Sequence, residues 1–204
     1  MRTHQLRHYL LLAPALLLVC GAASGQNMQP QSSLRPISGE DRLKWFAEST
    51  VGPPSLLGGA FSAGWGTLFN SPREYGPHWE GFGKRYGMRL TGVSTGNAME
   101  AGLGALWGED PRYPRASGQP FKSRVANIVK MTFLAPNRNG ELRPAYARYA
   151  AISGNNFLSN AWRADSEATN GRASLRTLFG FLGRMSSNAF AEFWPDVRQR
   201  IRKK

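Results

Sequence analysis

Fourteen of the 23 glycines in this 204-residue chain fall between residues 52 and 108, a crowding that restricts what the segment can become. An interior glycine costs a helix ~1 kcal/mol against alanine, so helices laid across this region need a compensating source of stability. Close packing through slim faces is one such source. On a helix expected over about 77–107, Gly83, Gly87, Thr91, Thr95, Ala98 and Gly102 step by four, four, four, three and four, a ridge with no large side chain. On the preceding helix, expected over about 56–69, Gly58, Ser62 and Gly66 do the same. Two such ridges predict a hairpin whose axes approach more closely than the usual ~8–10 Å. Trp79, Phe82, Tyr86, Leu90 and Val93 then lie on the opposite face of the long helix, where they can fill a core or meet lipid.

Elsewhere apolar residues recur with helical period, and Gly and Pro act as punctuation. Ser38-Gly39-Glu40-Asp41 reads as a helix start ahead of Leu43, Trp45 and Phe46. Gly52-Pro53-Pro54 breaks that helix and Ser55 is placed to cap the next. The long helix opens at Gly76-Pro77 and stops at Gly108. Val125, Ile128, Val129 and Phe133 give one apolar face to a helix over 121–134, and Asn137-Arg138-Asn139-Gly140 is a turn. A further helix is expected over 144–162 and a last one over about 172–194. In the last, Leu175, Leu178, Phe179, Leu182, Ala189 and Phe193 trace one stripe before Pro195 kinks or restarts it. No run of period-2 alternation is long enough to support a sheet. The expected fold is all-α: a single compact helical bundle over 38–197, built on the glycine-rich close-packed hairpin, with a basic C-terminal tail at 198–204.

A small-Asn-Ala-large tetrad occurs three times, at 96–99, 159–162 and 187–190. Asparagine is a poor helix former. Asn97, Asn160 and Asn188 inside helices therefore predict side chains bonded across helices in a shared polar layer; chance recurrence is the alternative.

Residues 1–25 have the three-part layout of a secretory signal peptide: Arg2 and Arg7 without an acid, an apolar stretch over 9–19, then Ala23-Ser24-Gly25. Eleven helical residues reach only ~17 Å, short of a ~30 Å hydrocarbon slab, so an address is expected rather than an anchor. Cleavage after Gly25 removes the single cysteine, Cys20, together with His4 and His8. Lipidation at Cys20 is the rival, and Val19 disfavours it because a small residue is wanted there. Residues 26–37, rich in Gln, Asn, Pro and Ser, read as a disordered lead-in. The expected location is the periplasm or the periphery of the outer membrane.

Beyond residue 25 the one histidine is His78, which leaves no Ser-His-acid or Cys-His triad and no multi-histidine metal centre. No cofactor is expected either, because Gly81-Phe82-Gly83 follows no strand. Carboxylates leave one enzymatic reading, a cell-wall glycoside hydrolase with Glu80 or Glu100 as general acid, among Glu80, Glu100, Glu109, Asp110 and Glu192. Ion pairing of Glu80 with Lys84, and of Glu109-Asp110 with Arg112, is the plainer account. The charge is more informative. It is formally +13, or +11 after cleavage, and Arg198, Arg200, Arg202, Lys203 and Lys204 fill five of the last seven positions. Such residues complement a helix C-terminus or, with Phe193 and Trp194 before them, bind anionic lipid headgroups. Export argues against nucleic acid as their partner.

Tyr75-Gly-Pro-His-Trp-Glu-Gly-Phe-Gly-Lys-Arg-Tyr-Gly87 and Gly108-Glu-Asp-Pro-Arg-Tyr113, with Ser153-Gly-Asn-Asn-Phe157, resemble the motifs of a group of exported proteins of unknown function. That group is common in Acidobacteria and related Gram-negative bacteria, and some members add a carboxypeptidase-regulatory-like module. The similarity covers residues 40–197, although Tyr113-Pro114 departs from the family's Tyr-Phe. The resemblance implies an envelope location and brings no activity, ligand or cofactor.

These readings favour a non-enzymatic envelope protein that meets anionic envelope lipid, or an envelope protein partner, through aromatic and Arg-rich helical faces. The hydrolase and a small-lipid carrier are the rivals. The carrier needs an apolar cavity that small-residue ridges would close.

Overall fold

The computed structural model describes residues 35–203, so the expected signal peptide at 1–25, most of the lead-in and Lys204 lie outside the described residues. Helix α1 (Gly39–Val51) starts where the sequence places it. The Ser38 hydroxyl accepts the Asp41 amide and the Asp41 carboxylate accepts the Ser38 amide, satisfying two exposed donors reciprocally. Gly52 both closes α1 and opens α2 (Pro53–Leu68), because Pro53 and Pro54 lack the N–H that a continuing helix needs yet suit a first turn. The cap is therefore Gly52 rather than Ser55. A Cβ on Gly52 would lie 2.1 Å from the Glu48 carbonyl oxygen, so the joint requires glycine.

Helix α3 (Trp79–Trp107) runs back beside both and stops at Gly108, which takes the left-handed conformation with φ 76°. α1 lies along its second half, with Asn97 donating to Thr50 at 3.1 Å. α2 lies along its first half, with Arg89 donating to the Ser55 carbonyl at 3.1 Å. Then follow α4 (Phe121–Phe133), strands β1 (Leu134–Pro136) and β2 (Leu142–Pro144), α5 (Tyr146–Leu158) and α6 (Asn170–Arg202). The antiparallel β1–β2 pair was not expected; three residues a side are too few for alternation to register in the sequence. With no other strand among the described residues, the fold is all-α. α5 runs antiparallel to α3, since Arg148 near its start meets Glu100 and Asn155 near its end meets Gly92. α6 returns past α5 and then crosses α4, where Asn188 donates to Thr132 and the Phe193 ring lies 5.6 Å from that of Phe121. Pro195 does not end α6, so the expected basic tail is the continuation of this helix.

The faces turned inward differ from expectation. The α3 ridge points out: Gly83, Gly87, Thr91, Ala98 and Gly102 are exposed, Thr95 is half-buried, and nothing lies within 4 Å of a Cβ placed on Gly83, Gly87 or Gly102. The glycines facing neighbours are Gly81, Gly92, Gly96 and Gly104, on the stripe that also carries Arg85 and Glu100. Those two charged side chains need partners that only the interior supplies, and this decides the rotation of the helix. The inward glycines make way for polar side chains rather than for another main chain. A Cβ on Gly96 would sit 3.1 Å from the Asn155 amide, and one on Gly104 2.8 Å from the Arg42 guanidinium. On α2, Gly58 and Ser62 are exposed, while Gly59, Ala63 and Gly66 pass beneath Arg85, Tyr86 and Arg89. The hairpin therefore packs a small stripe against large polar side chains, not ridge against ridge.

The stripe on α6 holds only in its second half, where Leu182, Ala189 and Phe193 are half-buried. Leu175, Leu178 and Phe179 are exposed, whereas Ala173, Asn188 and Glu192 are buried. The three asparagines do bond across elements, but to Thr50, Arg176 and Thr132 separately, and Asn160 lies in the 3-10 turn after α5. They form three independent interhelical bonds instead of one layer.

Candidate functional site

Polar chemistry lies inside this molecule and large apolar side chains lie outside. Of nine buried hydrophobic residues among the described ones, seven are alanine, against eleven buried polar or charged residues and 23 exposed large hydrophobic ones. A water-soluble bundle reverses that order. Small and polar side chains between helices, with bulky apolar ones facing out, is the arrangement helices adopt where the surroundings are themselves apolar.

Three buried knots hold the helices. In the first, Glu100 on α3 accepts Arg148 Nε at 2.9 Å and Arg184 Nη2 at 3.1 Å. Arg148 also donates to the Met131 and Thr132 carbonyls, tying the end of α4 to α5. Burial pulls the Arg184 guanidinium down to about 10, with Glu100 opposing and Arg148 adding to the shift, so it remains charged at neutral pH. Beside this knot, Glu109 accepts the Ala147 amide at 3.0 Å and so caps α5, and burial pushes its carboxyl up. Asp110 pairs with Arg112 at 2.7 Å, as the spacing suggested, but Glu109 does not.

In the second knot, fully buried Glu192 accepts Tyr113 Oη at 2.9 Å, the Ala116 amide at 3.0 Å and Arg124 Nε at 2.7 Å. Burial pushes the Tyr113 hydroxyl up, and the Glu192 carboxylate adds to it. The Glu192 carbonyl accepts Arg115 and Arg124, and Asp196 pairs with the same two arginines. These guanidinium groups gather on the turn that holds Pro195, and α6 continues through that proline. In the third, Arg85 donates to the Ser71, Pro72 and Gly76 carbonyls at 2.7–2.8 Å and reaches Asn70 and Thr67. It fastens the α2–α3 turn with neutral acceptors alone.

The two carboxylates proposed as general acid lie far apart. Glu80 is exposed in the first turn of α3. Glu100 stands twenty residues on, ~30 Å along the helix axis at ~1.5 Å per residue. A glycosidase pair is separated by roughly 5–10 Å. The cleft that Glu100 lines with Glu109, Asp110 and Arg148 is too tight to admit a water molecule. His78 precedes α3, exposed and without a side-chain capping bond. No group of three metal-ligating residues occurs among the described residues.

The exposed apolar residues form stripes on individual helices. On α2 and its cap, Leu57, Phe61, Trp65, Leu68 and Phe69 are between 58% and 75% exposed, with the Phe61 ring stacked on Trp65 and the Phe69 ring tilted against it. At the end of α6, Trp194, Val197 and Ile201 are exposed on one side, flanked by exposed Arg198, Arg200, Arg202 and Lys203. No helix among the described residues is long and apolar enough to cross a membrane. The sequence pointed to the basic cluster; on α2 it singled out Gly58, Ser62 and Gly66 for packing and did not name this stripe.

Of the motif residues, Gly76 and Arg85 belong to the third knot and Tyr113 to the second, Glu109 caps α5, Asp110 pairs with Arg112, and Asn155 bonds α5 to α3. Comparison with known protein families, with curated proteins and with solved structures finds no match.

Proposed function

We propose that this chain is a non-enzymatic envelope protein that rests on an anionic lipid surface through the last turns of α6. The observation that carries the reading is the side-by-side exposure of Trp194, Val197 and Ile201 with Arg198, Arg200, Arg202 and Lys203. A helix with an apolar strip bordered by arginines lies in the plane of an interface, rings in the acyl boundary and guanidinium groups among phosphates. Each basic residue near an anionic surface contributes ~1 kcal/mol, and the attraction fades with salt.

Liposome flotation of the full chain tests this. The protein is expected to float with phosphatidylglycerol-containing vesicles at low salt. A triple variant, R198Q/R200Q/R202Q, is expected to bind them about 100-fold more weakly, at ~1 kcal/mol per residue removed. Equal recovery of the native chain in the soluble fraction with and without anionic lipid at low salt would defeat the proposal.

A further inference from the structure

We infer that α2 is a second, deeper lipid contact, a short aromatic helix that enters the acyl region of one leaflet. The inference rests on the lipid-surface reading above and adds a contact of different chemistry. Between Glu48 and Arg73 the chain runs 24 residues without a charged side chain. Those residues include all of α2, and the helix is not hidden. Leu57, Phe61 and Leu68 are each more than 70% exposed, and Trp65 and Phe69 continue the same surface.

Amides at both ends of α2 are paired, Ser55 and Leu56 donating to the Gly52 carbonyl and Phe69 and Ser71 to those of Trp65 and Gly66. Thr67 donates to the Ala63 carbonyl one turn back, Arg89 to Ser55, and Arg85 to three carbonyls and two side chains. A backbone segment that enters hydrocarbon must meet this condition, because no water is there to complete it.

A protein partner fits the surface poorly. Protein interfaces carry a polar rim and roughly one hydrogen bond per 100–200 Å². The outward side of α2 offers Pro53, Pro54, Gly58, Ala60 and one hydroxyl, Ser62, beside its apolar stripe. An uncharged apolar surface with its hydrogen bonds closed inward matches acyl chains. Sixteen residues of helix reach ~24 Å, less than the ~30 Å hydrocarbon thickness, so α2 dips into one leaflet and does not cross.

The experiment floats the full chain with neutral phosphatidylcholine vesicles and with phosphatidylglycerol vesicles, at low salt and after a wash at about 1 M salt, where the Debye length is ~3 Å. The native chain is expected to stay on both kinds of vesicle through the wash. Phe61→Glu is expected to lower the retained fraction about 10-fold or more, and Leu57→Glu to do the same. Both positions are exposed, so circular dichroism in lipid-free buffer is expected to match the native chain.

Release of the native chain by the wash, with Phe61→Glu indistinguishable from it, overturns the α2 contact and leaves the α6 reading standing. Retention on neutral vesicles with the arginine triple variant unaffected supports α2 and removes the α6 reading. A lipid-free native dimer that Phe61→Glu converts to monomer, with flotation unchanged, gives the surface to a second copy and also overturns the inference.

Discussion

The α2–α3 hairpin and the α4–α6 crossing both bury charge behind an apolar exterior, but they neutralise it differently. At the hairpin a single cation, Arg85, is wrapped by neutral oxygens from the turn between the helices. At the crossing an anion, Glu192, is met by Arg124 and Tyr113, with Asp196 completing the set of charges. The first arrangement holds one turn of chain and involves no carboxylate, so acid has nothing there to protonate. The second ties together segments nearly eighty residues apart and depends on ionised carboxylates. The hairpin is a local clasp, whereas the crossing is a long-range one.

The largest test removes the anion. Glu192→Leu is expected to cost about 3–5 kcal/mol in chemical denaturation, because Arg124 and the Ala116 amide lose a buried partner. Arg85→Met is expected to cost less, about 2–3 kcal/mol, since the carbonyls it abandons belong to a turn that water can reach. Equal losses would remove the distinction between local and long-range clasps.

Two glycine substitutions sharpen the picture of which helix face is occupied. A Cβ on Gly66 would sit 2.9 Å from Arg85 Cδ and 3.1 Å from the Ser71 carbonyl, so Gly66→Ala is expected to destabilise by about 1–3 kcal/mol. Gly87 has open space, and Gly87→Ala is expected to stabilise by about 0.5–1 kcal/mol, read as a raised Tm. Destabilisation by both substitutions would restore the ridge-on-ridge hairpin, since Gly66 and Gly87 lie on its two facing ridges.

The smallest effect is one of pH. A hydrogen bond from Arg124, then the Arg124 charge and Arg115, hold the Asp196 carboxyl below its usual range. The unfolded chain therefore binds this proton more readily, and stability present above the ordinary carboxylate range is lost as pH falls through the depressed value. Hydrogen exchange across that window is expected to rise in α4 and the end of α6 before it rises around Arg85.

Helix boundaries were legible in the sequence because their causes are local: the Ser38 cap, the Gly52-Pro53 break and the left-handed Gly108 each act within a few residues. Helix orientation was not. α3 carries two slim stripes, one through Gly83, Gly87 and Gly102 and another through Gly81, Gly96 and Gly104, and spacing alone does not rank them. The second also holds Arg85 and Glu100, and their need for buried partners chose it. On α6, Leu175, Leu178 and Phe179 face outward, while Ala173 is buried and Arg176 bonds to Asn156 and Asn160 on the inward side. The rule that apolar residues point inward therefore misplaced the first half of the α6 stripe. The tail arginines were legible as a candidate site because charge runs survive any choice of rotation. The α2 stripe was not, because its residues look alike whether packed or bare.

Gly52 joins two helices through one residue that tolerates no side chain. α1 and α2 thus behave as a jointed rod laid along α3, pinned at one end by Arg42 on the Glu109 carbonyl and at the other by the Arg85 clasp. With no loop at that joint, the Arg85 clasp and the turn that caps α5 are linked by helix over the whole distance between them.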